Sequence, residues 1–514
     1  MSAPSALPRK LALFAILLPL AAFVGYLLSS PDAEAILLIG ALVGLLILPL
    51  FLTHHHAILI GSLNLSMTLF FLPGNPPIWI ATAGISLGLT LLARIMDKHK
   101  KLLGDTPMTL SLLLLVGVVL LTMASTTGLG IRSLGGAYYG GRKYVFILAA
   151  VIAYFALSTV QTPIPKLRTR LGTYFLSGVT PVMSHVIYLM GPSMWVLYRL
   201  FSVDWAIGQA VEDLGGTMLF SKIGRLAGLA PAGTAVFSFV LARYGVRGVL
   251  DLSHPGRMFS LFLAVSMSLL GGFRSVSVYF ALVLFIQFFL EGLHKTRLMP
   301  TAVLSLSIVL ASLVPIAHRL PLPVQRCFTV LPYNLSPIAR ADAKASTEWR
   351  LKMWEVLVQE VPKYLWKGKG CGASATDYYL AFESVRRGFT QDIEFYMLAG
   401  DYHSGPLSVI IPFGVLGAAA FLAVVLSCFR ILIRNYRYGD SQLISLNTFF
   451  LAAFMAKILF FIFLFGAIHS DLVTLVGMVG LSISINGGVK VPVPGAGQKT
   501  VREESLPNLT PARA

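Results

Sequence analysis

The sequence predicts an all-α polytopic membrane protein with about 12–14 transmembrane helices and one large polar loop domain between late helices. Three observations carry this. Hydrophobic residues are 56% of the 514 and charged residues only 12%, against about 25% charged in soluble domains, and the mean hydropathy is +0.78. The apolar residues come in runs near the length of about 20 that a helix needs to cross a bilayer. One polar stretch, 317–404, interrupts those runs and is followed at Gly405 by further apolar sequence.

Taken in order, the first apolar segment covers 11–30. Ala33-Glu34-Ala35 resembles a small-residue cleavage site, yet the run exceeds the 7–15 residues usual in a signal core, so it reads as an uncleaved helix. Spans follow at 35–52 and 57–73, separated by His54-His55-His56, which reads as a solvated loop. The next are 77–96, 108–127, 144–162, 172–198, 226–243, 257–273, 275–291 and 299–316. After the polar stretch come 405–433, 446–466 and 471–487. The domains are therefore 1–316 (N-terminal membrane helices), 317–404 (loop domain), 405–487 (C-terminal membrane helices) and 488–514, a Gly/Pro-rich tail expected to be disordered and cytoplasmic.

Orientation follows from Lys and Arg, which collect on the cytoplasmic side. Alternate short loops hold Arg9-Lys10, Lys98/Lys100/Lys101, Lys166/Arg168/Arg170, Arg243/Arg247/Arg257, Lys295/Arg297 and Arg434/Arg437. The loops at 29–35, 73–77 and 467–470 hold none. Both termini are then cytoplasmic and 317–404 external. The net charge of +18 argues for this orientation and for anionic ligands, and no nucleic-acid-binding motif is present. Two external loops break the rule, with Arg132, Arg142 and Lys143 in one and Lys222 and Arg225 in the other. They read either as attraction for an anionic lipid substrate or as solvated charge near Asp204, Glu212 and Asp213.

Several residues stand out chemically. Arg274 follows Gly271-Gly272-Phe273 at the external end of two adjacent spans, where an arginine is a functional hypothesis by default; a snorkelling anchor is the alternative. Arg350 lies in an amphipathic stretch with Leu351, Trp354 and Leu357 at helical spacing. With Thr347 or Ser346 as cap, it is expected in the first turn, near backbone donors that favour anions; pairing with Glu348 or Glu355 is the alternative. His403 stands just before the span at Gly405, as a proton carrier or a structural boundary residue. Gly368-Lys369-Gly370-Cys371-Gly372 lacks the phosphate-loop pattern and reads as a tight turn, so no nucleotide cofactor is implied. Lys457, deep in a span, implies an acidic partner or a hydrophilic cavity. No Cys/His cluster has metal spacing; Cys327 and Cys371 share the polar stretch, and their pairing is left open.

The order of these features resembles the O-antigen ligase / O-antigen polymerase superfamily of bacterial membrane glycosyltransferases. The similar part runs from about Gly271 to Leu432. It comprises Gly272-Phe273-Arg274-Ser275 at a helix start, Arg350 followed by Trp354, the glycines 368, 370 and 372, and His403 ahead of Phe413-Gly414-Val415-Leu416-Gly417. Ser404 follows the histidine where family members often carry Asn. The resemblance implies an inner-membrane enzyme with its loop in the periplasm. The donor would be a glycan on undecaprenyl diphosphate. The acceptor would be a glycolipid, such as a lipid A-core, or another glycan, within a shell of membrane lipids. It implies Arg274 and Arg350 on the diphosphate, His403 as base, and inverting transfer with no metal or other cofactor. Polymerase and transporter readings stay open beside the ligase.

Overall fold

Secondary structure follows the apolar runs because a chain in lipid must satisfy its backbone groups internally, and helices do so. The computed structural model describes residues 33–72, 74–97, 103–130, 138–203, 225–388 and 393–492, with four isolated positions upstream. Most of 11–30, Arg132 and Lys222, and the tail from residue 493 lie outside the described residues. Apart from one two-stranded pairing and an isolated bridge between Thr68 and Pro77, the regular structure of the described residues is helical, and the chain is a multi-pass membrane protein. Among the described residues seven helices are long and apolar enough to cross a bilayer, and three shorter apolar helices join them.

The chain divides into two units, 1–58 and 59–514. Helix α1 (Ala33–Ser62) begins in the first and corrects an expectation. In place of spans at 35–52 and 57–73 there is one helix of 30 residues, with His54, His55 and His56 inside it, followed by turns up to Pro77. A helix closes its own backbone bonds whatever its side chains, so a short polar run does not break it.

The second unit continues with α2 (Ile78–Met96), α3 (Thr106–Ser125) and α4 (Gly141–Ser158). Asp105 starts α3 by accepting the Met108 N–H at 3.1 Å. The expected single span at 172–198 is broken into α5 (Ile164–Leu176), a 3₁₀ turn, α6 (Met183–Met190) and a second 3₁₀ stretch at Pro192–Arg199. Gly191 has φ +86° and Pro192 has no N–H to continue the ladder. Then come α7 (Leu229–Val249), α8 (Pro255–Leu270), α9 (Arg274–Leu290) and α10 (Leu298–Leu313).

The polar segment holds α11 (Leu322–Cys327), α12 (Pro337–Tyr364), α13 (Ala375–Arg386) and α14 (Ile393–Ala399). Strand β1 (Tyr138–Tyr139) pairs antiparallel with β2 (Ala373–Ser374). The chain closes with α15 (Gly405–Tyr438), α16 (Ile444–Phe463) and α17 (Ile468–Asn486). The bundle packs α4 on α17, α3 on α15, α7 on α8 and α9 on α16, around Tyr144, Phe237, Phe413, Phe449, Phe450 and Phe454.

Helix α15 seats the polar segment. It kinks at Gly414, φ +64°, two residues after Pro412, which frees two carbonyls for outside donors. The Ile411 and Pro412 carbonyls accept the N–H groups of Lys369 and Gly370 at 2.8 and 2.9 Å. Gly368 and Gly370 both have φ +76°, and a Cβ at Gly368 would collide with the Pro412 carbonyl. The glycine turn is thus a docking turn. Met353, Leu357, Ile393, Tyr402 and Ile411 form a small core beneath it. Cys327 and Cys371 are free thiols; the first is buried near the Leu269 carbonyl, and the backbone N–H of the second donates to the Tyr144 hydroxyl at 2.8 Å.

Candidate active site

Four arginines, two from the polar segment and two from separate loops ahead of it, come to one end of the bundle, because the polar segment folds back over it. Arg225, ahead of α7, reaches Asp342 on α12 with Nη2 at 2.9 and 3.0 Å from the two carboxylate oxygens. Arg326 of α11 binds the same carboxylate through Nε and donates from Nη1 to the Gly272 carbonyl at 3.1 Å. Arg274 opens α9 and donates from Nη2 to the Ala343 carbonyl at 2.9 Å and to Thr347 Oγ1 at 3.1 Å. All three guanidiniums therefore touch one stretch of α12, and Arg350 lies two turns further along it.

The charges do not balance. Asp342 is 3% exposed and Arg326 6%, so their contact is dry, while Arg274 and Arg350 are half-buried. Among the described residues neither Arg274 nor Arg350 has a carboxylate partner. Burial pushes Arg326 down to about 10, helped by the Arg225 charge. Burial likewise holds Arg350 below its ordinary value, with a further push from Arg274. Like charges at contact range repel by a few kcal/mol even at an effective dielectric of about 20. An arrangement of four arginines and one aspartate is stabilised by an anion.

Arg350 itself corrects an expectation. Helix α12 starts at Ser336-Pro337, not near Thr347, since proline is favoured in a first turn. Arg350 is mid-helix, away from the N-terminal backbone donors, and the charge acting on it is that of Arg274.

His403 lies on the same helix's other neighbour, the loop into α15. Its φ is +50°, a left-handed conformation costing an ordinary residue about 1–2 kcal/mol. Its Nδ1 is 2.9 Å from the Asp401 carbonyl. A carbonyl only accepts, so Nδ1 carries the proton and Nε2 the lone pair. The ring is boxed edge-to-face by Trp349 at 5.1 Å, Phe465 at 5.2 Å and Tyr396 at 5.9 Å. Burial lowers its pKa, and the Arg350 charge adds to this against the opposing pull of Asp401. Trp349 and Arg350, adjacent on α12, thus link the histidine to the arginine cluster.

The other sequence candidates are placed differently. Lys143 Nζ is 3.2 Å from Asp401 and also donates to the Ala399 carbonyl, so it holds the His403 loop. Arg142 is exposed and lies over the Phe146 ring at 5.2 Å. Trp354 packs in the small core under α12. Lys457 pairs with Asp471 at 2.8 Å. It also lines a cavity of about 490 Å³ among α7, α9, α16 and α17. Phe273 and Ser275, the neighbours of Arg274, line this cavity with Tyr279, Phe449 and Phe460. Among the described residues no three His, Cys, Asp or Glu side chains gather to hold a metal ion.

Sequence reasoning missed Asp342, Arg326, Tyr396 and Phe465. No family model matches the chain, and no curated protein matches it.

Proposed function

We propose that this chain is a membrane glycosyltransferase of the O-antigen ligase type, which moves a glycan from undecaprenyl diphosphate to an acceptor sugar hydroxyl at the periplasmic face. The observation that carries the reading is the half-buried excess of guanidinium charge around α12, beside a histidine whose Nε2 holds a lone pair. Arg274 and Arg350 bind the diphosphate, whose planar oxygen pairs suit the guanidinium fork. Arg225 and Arg326, held by Asp342, keep the local potential positive without being spent on the ligand. The cavity flanked by Phe273 and Ser275 receives the lipid chain nearest the diphosphate.

The acceptor oxygen attacks the anomeric carbon as the bond from that carbon to the diphosphate oxygen breaks. The bonding electrons leave with the diphosphate, where fixed positive charge stabilises them. The hydroxyl proton passes to His403 Nε2. Displacement in line inverts the anomeric centre. A polymerase would use the same machinery with a second lipid-linked glycan as acceptor, and a transporter would need none of it.

A deletion strain carrying Arg350→Ala tests this. Lipid-linked glycan should accumulate, as long chains for a ligase and as single repeat units for a polymerase. Normal levels of both lipid-linked and transferred glycan with Arg350→Ala would sink the reading.

A further inference from the structure

The pair Lys457–Asp471 belongs to no step above, yet it lies among membrane helices, where charge is expensive. A buried ion pair is a weak device for stability, because well-packed apolar residues of similar volume serve as well or better. Its geometry shows another use. Lys457 is on α16 and Asp471 on α17, joined at 2.8 Å. The second oxygen of Asp471 accepts the Ala467 N–H at 2.9 Å, so one carboxylate ties both helices to the turn 464–467. That turn carries Phe465, one wall of the His403 box at 5.2 Å. Its far side is fixed to α15, where Ser408 Oγ accepts the Ile468 N–H at 3.0 Å. There is no slack in the backbone: a Cβ on Gly466 would collide with the Phe461 ring.

We propose that Lys457 and Asp471 are positioning residues that hold Phe465 against His403 and keep water from the imidazole. The charged groups facing Asp471 are Lys457 and His469, and those facing His403 are Arg350 and Asp401. Without the pair the turn loosens, Phe465 withdraws, and His403 titrates nearer its ordinary value of about 6.5. Only the catalytic consequence rests on the proposed function; the positioning does not.

Diethyl pyrocarbonate acylates neutral imidazole, so the rate of His403 modification against pH reads its titration without substrate. The measurement uses the full chain in lipid nanodiscs, with the modified peptide followed by mass spectrometry. The double variant Lys457→Met/Asp471→Asn leaves no stranded charge and is made first. It should move the midpoint up towards about 6.5 and speed modification several-fold, while Lys457→Arg keeps wild-type behaviour. With wild-type transfer established, the double variant should lose about tenfold in kcat with donor KM little changed, a fraction of what a general base supplies. If the double variant does not fold, Asp471→Asn alone should show the same upward shift. An unchanged midpoint and rate in either folded variant would overturn the proposal. A shifted midpoint in a chain whose wild type transfers no glycan would instead overturn the proposed function and leave the positioning standing.

Discussion

In the proposed reaction His403 is the base. Burial and the Arg350 charge hold its pKa below the usual imidazole value, and a base works only when neutral. The rate should therefore be flat through pH 7 and fall only as pH drops through that depressed value. The acid limb of kcat/KM should lie below pH 6.5. Residual transfer by Arg350→Lys should show the same limb, since the charge is kept, with rate lost because an ammonium lacks the planar fork. His403→Ala should cost on the order of 10²–10⁴ in rate. An acid limb above pH 6.5 would contradict the assignment. Arg274, Arg350 and His403 were legible in the sequence because each stands where an apolar run breaks or a helical pattern begins. Asp342 and Arg326 were not. A charge inside an already polar stretch has nothing to contrast with, and only folding brings these two 16 positions apart onto one carboxylate-guanidinium contact.

Among the elements, α15 decides whether the site exists. Its kink at Gly414 exposes the carbonyls on which the glycine turn docks. Gly368→Ala forces a left-handed alanine, costing about 1–2 kcal/mol, and collides with the Pro412 carbonyl. Gly388→Ala pays only the backbone part, since its φ is +73° with open space around it. Thermal unfolding should show the larger drop for Gly368→Ala, with transfer lost as well; equal drops would mean the docking contact is unimportant. Element lengths were legible wherever apolar runs matched the bilayer, as in α2, α3, α4, α16 and α17. Three failures have physical causes. The break through 172–198 keeps the composition of a span while Gly191 and Pro192 end its helix. The polar run in α1 looked like a loop although helix backbone tolerates it. The early start of α12 was hidden because Pro337 reads equally as a loop residue.

For the whole molecule, the alternation of basic loops from Lys98 onward placed Arg142, Lys143, Arg225, Arg274 and the polar segment on one side. The structure brings described members of that set into contact at one end of the bundle. Which side of the membrane that end faces is a prediction. In a cysteine-free background, Ser384→Cys should react with an impermeant maleimide in intact cells opened only at the outer membrane, and Asp440→Cys should not. The reverse pattern would put the arginine cluster in the cytoplasm and remove the lipid-linked donor from its reach.

The central claim is tested most directly by following the bond it says is broken. The purified chain in nanodiscs, with undecaprenyl-diphosphate-linked glycan, an acceptor glycolipid and EDTA, should release free undecaprenyl diphosphate and an equal amount of glycosylated acceptor. Both should fall together to near background in Arg274→Ala, Arg350→Ala and His403→Ala proteins that remain folded. Release that persists unchanged in the folded His403→Ala and Arg350→Ala proteins, or that requires a divalent ion, would contradict the account.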